Sequence, residues 1–139
     1  ESPFMEGWGR FSPDGRWLAY VYSEGTGGSE VLVQPVPPTG ERWQVSAGGG
    51  GYPVWRADGR ELFYLGGGKL HAVDVRPGPS RPAFGTQRAL FDAPPTRQPT
   101  RSVYVATPDG QRFLFVRERE SRWRQPIVVV SDWLAGRGR

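Results

Sequence analysis

The chain has 139 residues and a formal net charge of +4, from 18 basic and 14 acidic side chains. It contains no cysteine, which excludes disulfides and cysteine-based zinc sites. Twenty glycines and 14 prolines are too many for long helices, so we expect one domain of many short strands. No apolar stretch has the length needed to span a bilayer, so no membrane insertion is expected.

The excess of positive charge makes nucleic acid a partner to consider. All but one of the basic residues are arginines, and they are scattered through predicted turns and strand ends. The densest cluster, at 117–124, alternates in sign, which is typical of a solvated hairpin tip. Nucleic acid is therefore not the expected partner.

The first predicted unit opens with a strand that ends near Phe11 and turns at Asp14 and Gly15. An apolar second strand around Leu18 and Tyr20 follows the turn. A glycine-rich loop, a third strand and a fourth segment complete the unit, at 23–29, 30–36 and 42–46.

Two further units follow the same order. The second unit turns at Asp58 and Gly59, and the third turns at Asp109 and Gly110. The second unit has a glycine loop, a third strand at 69–75 and a fourth segment at 86–91. The third has a polar loop at 118–125 and a strand at 126–130.

The spacing of the turns indicates a repeat. Asp14, Asp58 and Asp109 are separated by 44 and 51 residues, close to the 40–50 residues per blade of a propeller. The strand after each turn is apolar at nearly every position, which predicts a strand covered on both faces by neighbouring sheets. Four antiparallel strands per unit is the count for a propeller blade.

The Asp-Gly pairs have a structural explanation. Glycine adopts a positive φ without steric cost, and the aspartate carboxylate accepts a hydrogen bond from nearby backbone. The six residues predicted to be structural turn residues are Asp14, Gly15, Asp58, Gly59, Asp109 and Gly110.

The segments "FSPDGRWLAY", "RWQVSAGGGGYPVWRADGRELFYL", "KLHAVDV" and "TPDGQRFLFV" resemble the TolB-like β-propeller repeat. The ending "IVVVSDWLAG" is similar to the final blade of propellers fused to bacterial transmembrane serine/threonine kinases. The resemblance implies a propeller fold and a periplasmic or extracytoplasmic location. The chain lacks kinase motifs, so kinase activity is not carried over, and it has three repeats where the family's rings usually have six or more.

The predicted fold is all-β: a half-propeller domain, 1–139, of three four-stranded antiparallel blades. The third blade lacks its own fourth strand, and 1–7 is expected to be a strand that completes a blade of another copy. The partner is then the chain itself, in a homodimer of six blades; a trimer of nine blades is the alternative. The expected blade bounds are 8–46, 51–91 and 102–134.

No catalytic residue, cofactor or metal site is predicted. The turn aspartates belong to separate blades, and His71, the only histidine, falls in a third strand where a packing or edge role is expected. The glycine-rich stretch 46–53 lacks the Gly-Lys-Ser/Thr ending and the following helix of a phosphate loop.

Aromatic residues in or beside loops, with neighbouring arginines, are candidate anchors for a peptide, protein or glycan. The alternative is that they cap the core. We therefore expect a non-catalytic scaffold or binding module that closes into a ring. The alternatives are a hydrolase propeller with channel carboxylates, and an excised or engineered fragment whose only property is assembly. The candidate binding residues are Trp8, Arg10, Tyr52, Arg56 and Trp123.

Overall fold

The computed structural model describes residues 4–25, 27–95, 103–116 and 127–130. This part of the chain is all-β, without a helix, and therefore has no helix that is long and apolar enough to cross a membrane. The strands are β1 (Phe4–Phe11), β2 (Trp17–Glu24), β3 (Ser29–Pro35), β4 (Trp43–Gln44), β5 (Gly51–Trp55), β6 (Glu61–Gly66), β7 (Lys69–Arg76), β8 (Ala83–Phe84), β9 (Arg88–Asp92), β10 (Tyr104–Ala106), β11 (Phe113–Val116) and β12 (Ile127–Val130).

The strands pair into three antiparallel sheets. The first sheet has the order β1-β2-β3-β4 and the third has the order β10-β11-β12. The middle sheet runs β5-β6-β7, and both β8 and β9 pair with the outer edge of β7. Within each sheet, strands that follow each other along the chain are neighbours except for β8 and β9, as the short turns between antiparallel strands allow.

The fourth position of the middle sheet is divided between two short strands, where the sequence predicts one segment at 86–91. β8 pairs with Val75 and Arg76, whereas β9 pairs with the opposite end of β7 and shifts register beside Leu70. Between them, the backbone N–H of Gly85 donates to the carbonyl of Asp74 at 2.8 Å. The edge of β7 is therefore paired along most of its length by two strands in place of one.

The N-terminal segment lies in a different place from the one that the sequence predicts. The sequence assigns 1–7 to a blade of another copy, but 4–7 continues β1 within the first sheet. Phe4 lies opposite Glu24 and Gly7 lies opposite Val21. The backbone N–H and C=O groups at the end of β2 need hydrogen-bond partners, and this segment supplies them. Residues 1–3 lie outside the described part.

The middle sheet is packed on both of its faces, because successive side chains of a strand point to opposite sides. In β6, Leu62 and Tyr64 pack towards the first sheet, and Phe63 packs towards the third. All three side chains are fully buried. The first-to-middle cluster is Trp17, Ala19, Val31, Val33, Val45, Leu62, Tyr64, Val73 and Val75; the middle-to-third cluster is Phe63, Leu70, Ala72, Val103, Tyr104, Phe113 and Phe115.

The two outer sheets differ from the middle one. In β11, Phe113 and Phe115 are buried against the middle sheet, but Val116 is 52% exposed, as is Val105 of β10. The described residues leave this outer face of the third sheet open. On the first sheet, the face turned away from the middle sheet carries a groove of about 610 Å³ beside Tyr22 and Leu32.

Candidate functional site

The three Asp-Gly turns (12–16, 56–60 and 107–111) share one backbone geometry. In each, the glycine N–H donates to the carbonyl three residues earlier at 2.8–2.9 Å. The glycines have φ of 70–71°, the left-handed region that glycine enters without cost. The aspartate Oδ1 accepts the backbone N–H two residues on, from Arg16, Arg60 and Gln111 at 3.2, 3.0 and 2.9 Å.

A side chain two residues before each aspartate also binds the carboxylate. Ser12 and Thr107 donate through their hydroxyls, and Arg56 donates through Nε and Nη2, each at 2.7 Å. These hydrogen bonds favour the charged form and lower the pKa of all three aspartates. The pKa of Asp58 falls from 3.8 to about 2, chiefly through Arg56. Each carboxylate therefore stabilises the turn in which it lies.

We expect Asp58→Ala to destabilise the fold at neutral pH by about 0.5–1 kcal/mol, a small effect because the ion pair is half exposed and screened. Because folding lowers this pKa, the stabilisation is present above pH 3.8 and disappears as the pH falls towards 2. Urea unfolding from pH 7 to pH 2 measures it. The difference in the free energy of unfolding between the unaltered chain and Asp58→Ala should disappear as the pH falls from 3.8 to about 2. A difference that stays constant with pH would contradict the role of the carboxylate charge. The control is Asp92→Ala, whose side chain is 83% exposed and lies outside the turns.

Trp8 and Tyr52 occupy equivalent positions in β1 and β5, 44 residues apart. Each lies in a register shift of its strand, between Gly7 and Arg10 and between Gly51 and Val54. Both have a left-handed backbone, with φ of 51° and 55°. This conformation costs a residue with a side chain about 1–2 kcal/mol. The two rings contact each other, with centroids 5.1 Å apart and planes tilted by 52°.

This aromatic pair borders a pocket of about 550 Å³, which we call the glycine basin. Its walls include two runs of three glycines, 49–51 and 66–68, together with Val21, Leu65 and Pro94. Tyr104 lies behind the pair and donates from its hydroxyl to the carbonyl of Tyr52 at 2.9 Å. Complete burial raises the pKa of Tyr104 well above 10, so the hydroxyl stays a donor at neutral pH.

The structure brings together three of the five candidate binding residues. Trp8, Arg10 and Tyr52 line one small cleft next to the glycine basin. Arg56 does not join them, because its guanidinium is held by Asp58 and by the buried Glu61, the latter at 3.1 Å. Trp123 lies outside the described residues.

Glu61 is the centre of an ion-pair network that the sequence does not reveal. Its side chain is 5% exposed and contacts both Arg56 and Arg88, and Arg88 also lies 3.4 Å from Asp74. Glu61 and Arg88 are 27 residues apart, and only the pairing of β7 with β6 and β9 places them side by side. The network neutralises a carboxylate at the start of a buried strand.

The glycine basin is also absent from the sequence prediction, although a signal for it exists. The pairs Gly7-Trp8 and Gly51-Tyr52 recur at the same 44-residue spacing as the first two turns.

His71 lies on β7, as expected, with its ring stacked on Tyr64 and its Nε2 3.0 Å from the carbonyl of Gly66. In the part of the chain that the structure describes, no cluster of His, Cys, Asp or Glu could hold a metal ion.

Comparison with protein-family models gave no match, and comparison with curated proteins likewise gave none.

Proposed function

We propose that this chain is a non-catalytic TolB-like β-propeller scaffold, with each of its three sheets forming one blade. Two copies close a six-bladed ring, and the edge around Trp8, Arg10 and Tyr52 binds a ligand. The observation that carries the proposal is the packing of the middle sheet between two others. Radial stacking of four-stranded meanders is the principle of a propeller, whose rings have four to eight blades.

The open faces of the stack support the assembly. A three-sheet wedge leaves one face of the first sheet and one face of the third without a neighbour among the described residues. Val105 and Val116 on the third sheet are each half exposed, and the first sheet has a groove beside Tyr22 and Leu32. In a two-fold dimer the first-sheet face of each copy packs on the third-sheet face of the other. Both open faces of each copy are then covered, through two equivalent contacts.

The binding role is supported by the aromatic pair. Trp8 and Tyr52 are half-buried, lie beside a concave pocket and are adjacent to the exposed Arg10. Aromatic and arginine side chains at the rim of a rigid scaffold are typical of binding surfaces. The carboxyls with lowered pKa belong to three separate turns, so the structure gives no specific support to a hydrolase.

Light scattering after size exclusion at micromolar concentration tests the assembly. The expected mass is about 31 kDa, twice the 15.5 kDa of one chain. Val116→Asp should give a 15.5 kDa monomer, because it places an unpaired charge in the interface. The control is Ala89→Asp, which adds the same charge to an exposed position on β9, away from both open faces. A folded 15.5 kDa monomer of the unaltered chain would refute the ring.

A further inference from the structure

The lining of the glycine basin carries no charge. Fourteen described residues line it, and none is Asp, Glu, Lys, Arg or His. Charged residues make up 23% of the chain, so an average set of this size would contain about three. A ligand with a phosphate or carboxylate would find no counter-charge there and would lose its hydration without compensation. The basin therefore suits an uncharged ligand.

The aromatic pair forms a single surface against which a ligand can pack, and not a gap into which a ligand ring can insert. The rings of Trp8 and Tyr52 are already in contact, so no ligand ring fits between them. A ligand that uses this wall packs one flat apolar face against it and keeps its polar groups at its rim. A pyranose ring has this form, with C–H groups on a face and hydroxyls around the edge. The electron-rich face of an aromatic ring attracts such C–H groups.

The backbone at the two aromatic positions is strained in the same way. A left-handed conformation is rare for bulky residues, and glycine would adopt it without cost. Trp8 and Tyr52 retain it at equivalent register positions of β1 and β5, the first strands of two different sheets. Backbone strain that is repeated at the rim of a pocket indicates that the direction of these two side chains matters for function.

Gly51 keeps part of the volume of the basin open. A Cβ at Gly51 would meet no atom within 4 Å and its φ lies outside the left-handed region, so neither packing nor backbone geometry demands glycine there. Gly67 and Gly68 also face open space, but their φ of 56° and 73° explains glycine in the turn between β6 and β7. Gly50 and Gly66 differ, because a Cβ would lie 2.7 Å from the Cβ of Ser46 at the first and 2.5 Å from the carbonyl oxygen of Gly49 at the second. The resulting 550 Å³ lies within the range of small-ligand sites, roughly 300–1,000 Å³.

We propose that the glycine basin binds a neutral saccharide, with a pyranose ring stacked on the wall formed by Trp8 and Tyr52. The hydroxyls, which both donate and accept hydrogen bonds, meet the backbone of the glycine walls and the hydroxyl of Ser29. This inference rests on the proposed binding role and names the ligand class of that site.

Isothermal titration calorimetry with defined oligosaccharides tests it. The probes are the neutral hexasaccharides of the cellulose, amylose and chitin types, with hexagalacturonate as an acidic comparison and decaproline as a peptide comparison. At least one neutral hexasaccharide should bind, and hexagalacturonate should not. Trp8→Ala should weaken binding at least about tenfold through loss of the stacking contact.

A second variant fills the basin and leaves both aromatic residues in place. Gly51→Val should weaken binding at least as much, because its side chain enters space that is open in the protein. The control is Gly7→Val, at the equivalent register position of β1, where a Cβ also meets nothing within 4 Å but which does not line the basin. Circular dichroism and melting temperature establish that each variant is folded.

The outcomes separate the two proposals. A 31 kDa dimer that binds no neutral hexasaccharide overturns the saccharide inference and leaves the ring intact. Binding that survives both Trp8→Ala and Gly51→Val places the sugar elsewhere and also overturns it. Binding of decaproline with the same variant pattern makes this a peptide site. A monomer that binds a sugar in the basin refutes the ring alone.

Discussion

Replacing Phe63 with alanine is expected to lower the free energy of unfolding by about 3–5 kcal/mol. Phe63 is fully buried on the side of β6 that faces the third sheet, with its ring edge-to-face against Phe113 at 4.9 Å. The substitution removes the ring from the only interface between these two sheets in the described part of the chain. The surrounding strands are held by their ladders and cannot collapse into the cavity.

Chemical unfolding followed by tryptophan fluorescence measures the loss. The control is Phe11→Ala, since the Phe11 side chain is 63% exposed, and its removal should cost less than about 0.5 kcal/mol. Equal losses for the two phenylalanines would mean that the middle and third sheets do not pack as described. A loss in Phe63→Ala above 5 kcal/mol would exceed the whole stability of many domains, so Phe63→Leu serves as a milder variant.

Replacing Glu61 with glutamine is expected to cost about 2 kcal/mol, the second-largest effect. The amide preserves size but removes the buried carboxylate shared by both arginines, which leaves Arg56 with Asp58 and Arg88 with the exposed Asp74 as counter-charges. Breaking a fully buried pair costs more, but the two arginines are 25% and 33% exposed, so water recovers part of the loss.

Asp74→Asn is the matched control for Glu61→Gln. Asp74 contacts the same Arg88, at 3.4 Å, but its own side chain is 67% exposed. Its loss should be below about 0.5 kcal/mol and should vanish in about 0.5 M salt, because an exposed pair is screened. The loss in Glu61→Gln should persist in salt. A salt-sensitive loss at Glu61 would show that its carboxylate is solvated.

Much of the fold is predictable because its signals are local. The Asp-Gly turns depend on a glycine at positive φ and an aspartate within reach of the next backbone N–H, and both are encoded within five residues. The unbroken apolar run at 62–65 correctly predicts a strand covered on both faces. In β11 only one face is covered by the described residues: Phe113 and Phe115 are buried, whereas Val116 on the other face is 52% exposed.

The site is less predictable because its geometry depends on contacts between distant segments. No propensity rule expects a tryptophan or tyrosine at positive φ, so the bulges at Trp8 and Tyr52 are visible only as a repeated glycine-aromatic pair. Arg56 has the sequence context of an exposed binding residue. In the structure its guanidinium forms ion pairs with Asp58 and Glu61, because the start of the strand after the turn lies next to Arg56.

The position of β6 between two packed faces has a consequence for how the molecule opens. In the described part of the chain, one buried cluster joins the middle sheet to the first sheet and a second joins it to the third. The cost of releasing one sheet is therefore its own ladder plus the interfaces it shares. An end sheet loses one interface when it detaches, whereas the middle sheet loses two. Amide hydrogen exchange should therefore be graded along the stack, slowest in β6 and β7 and faster in β2 and β11. Joining two copies end to end would remove that gradient, because every sheet would then lie between two others.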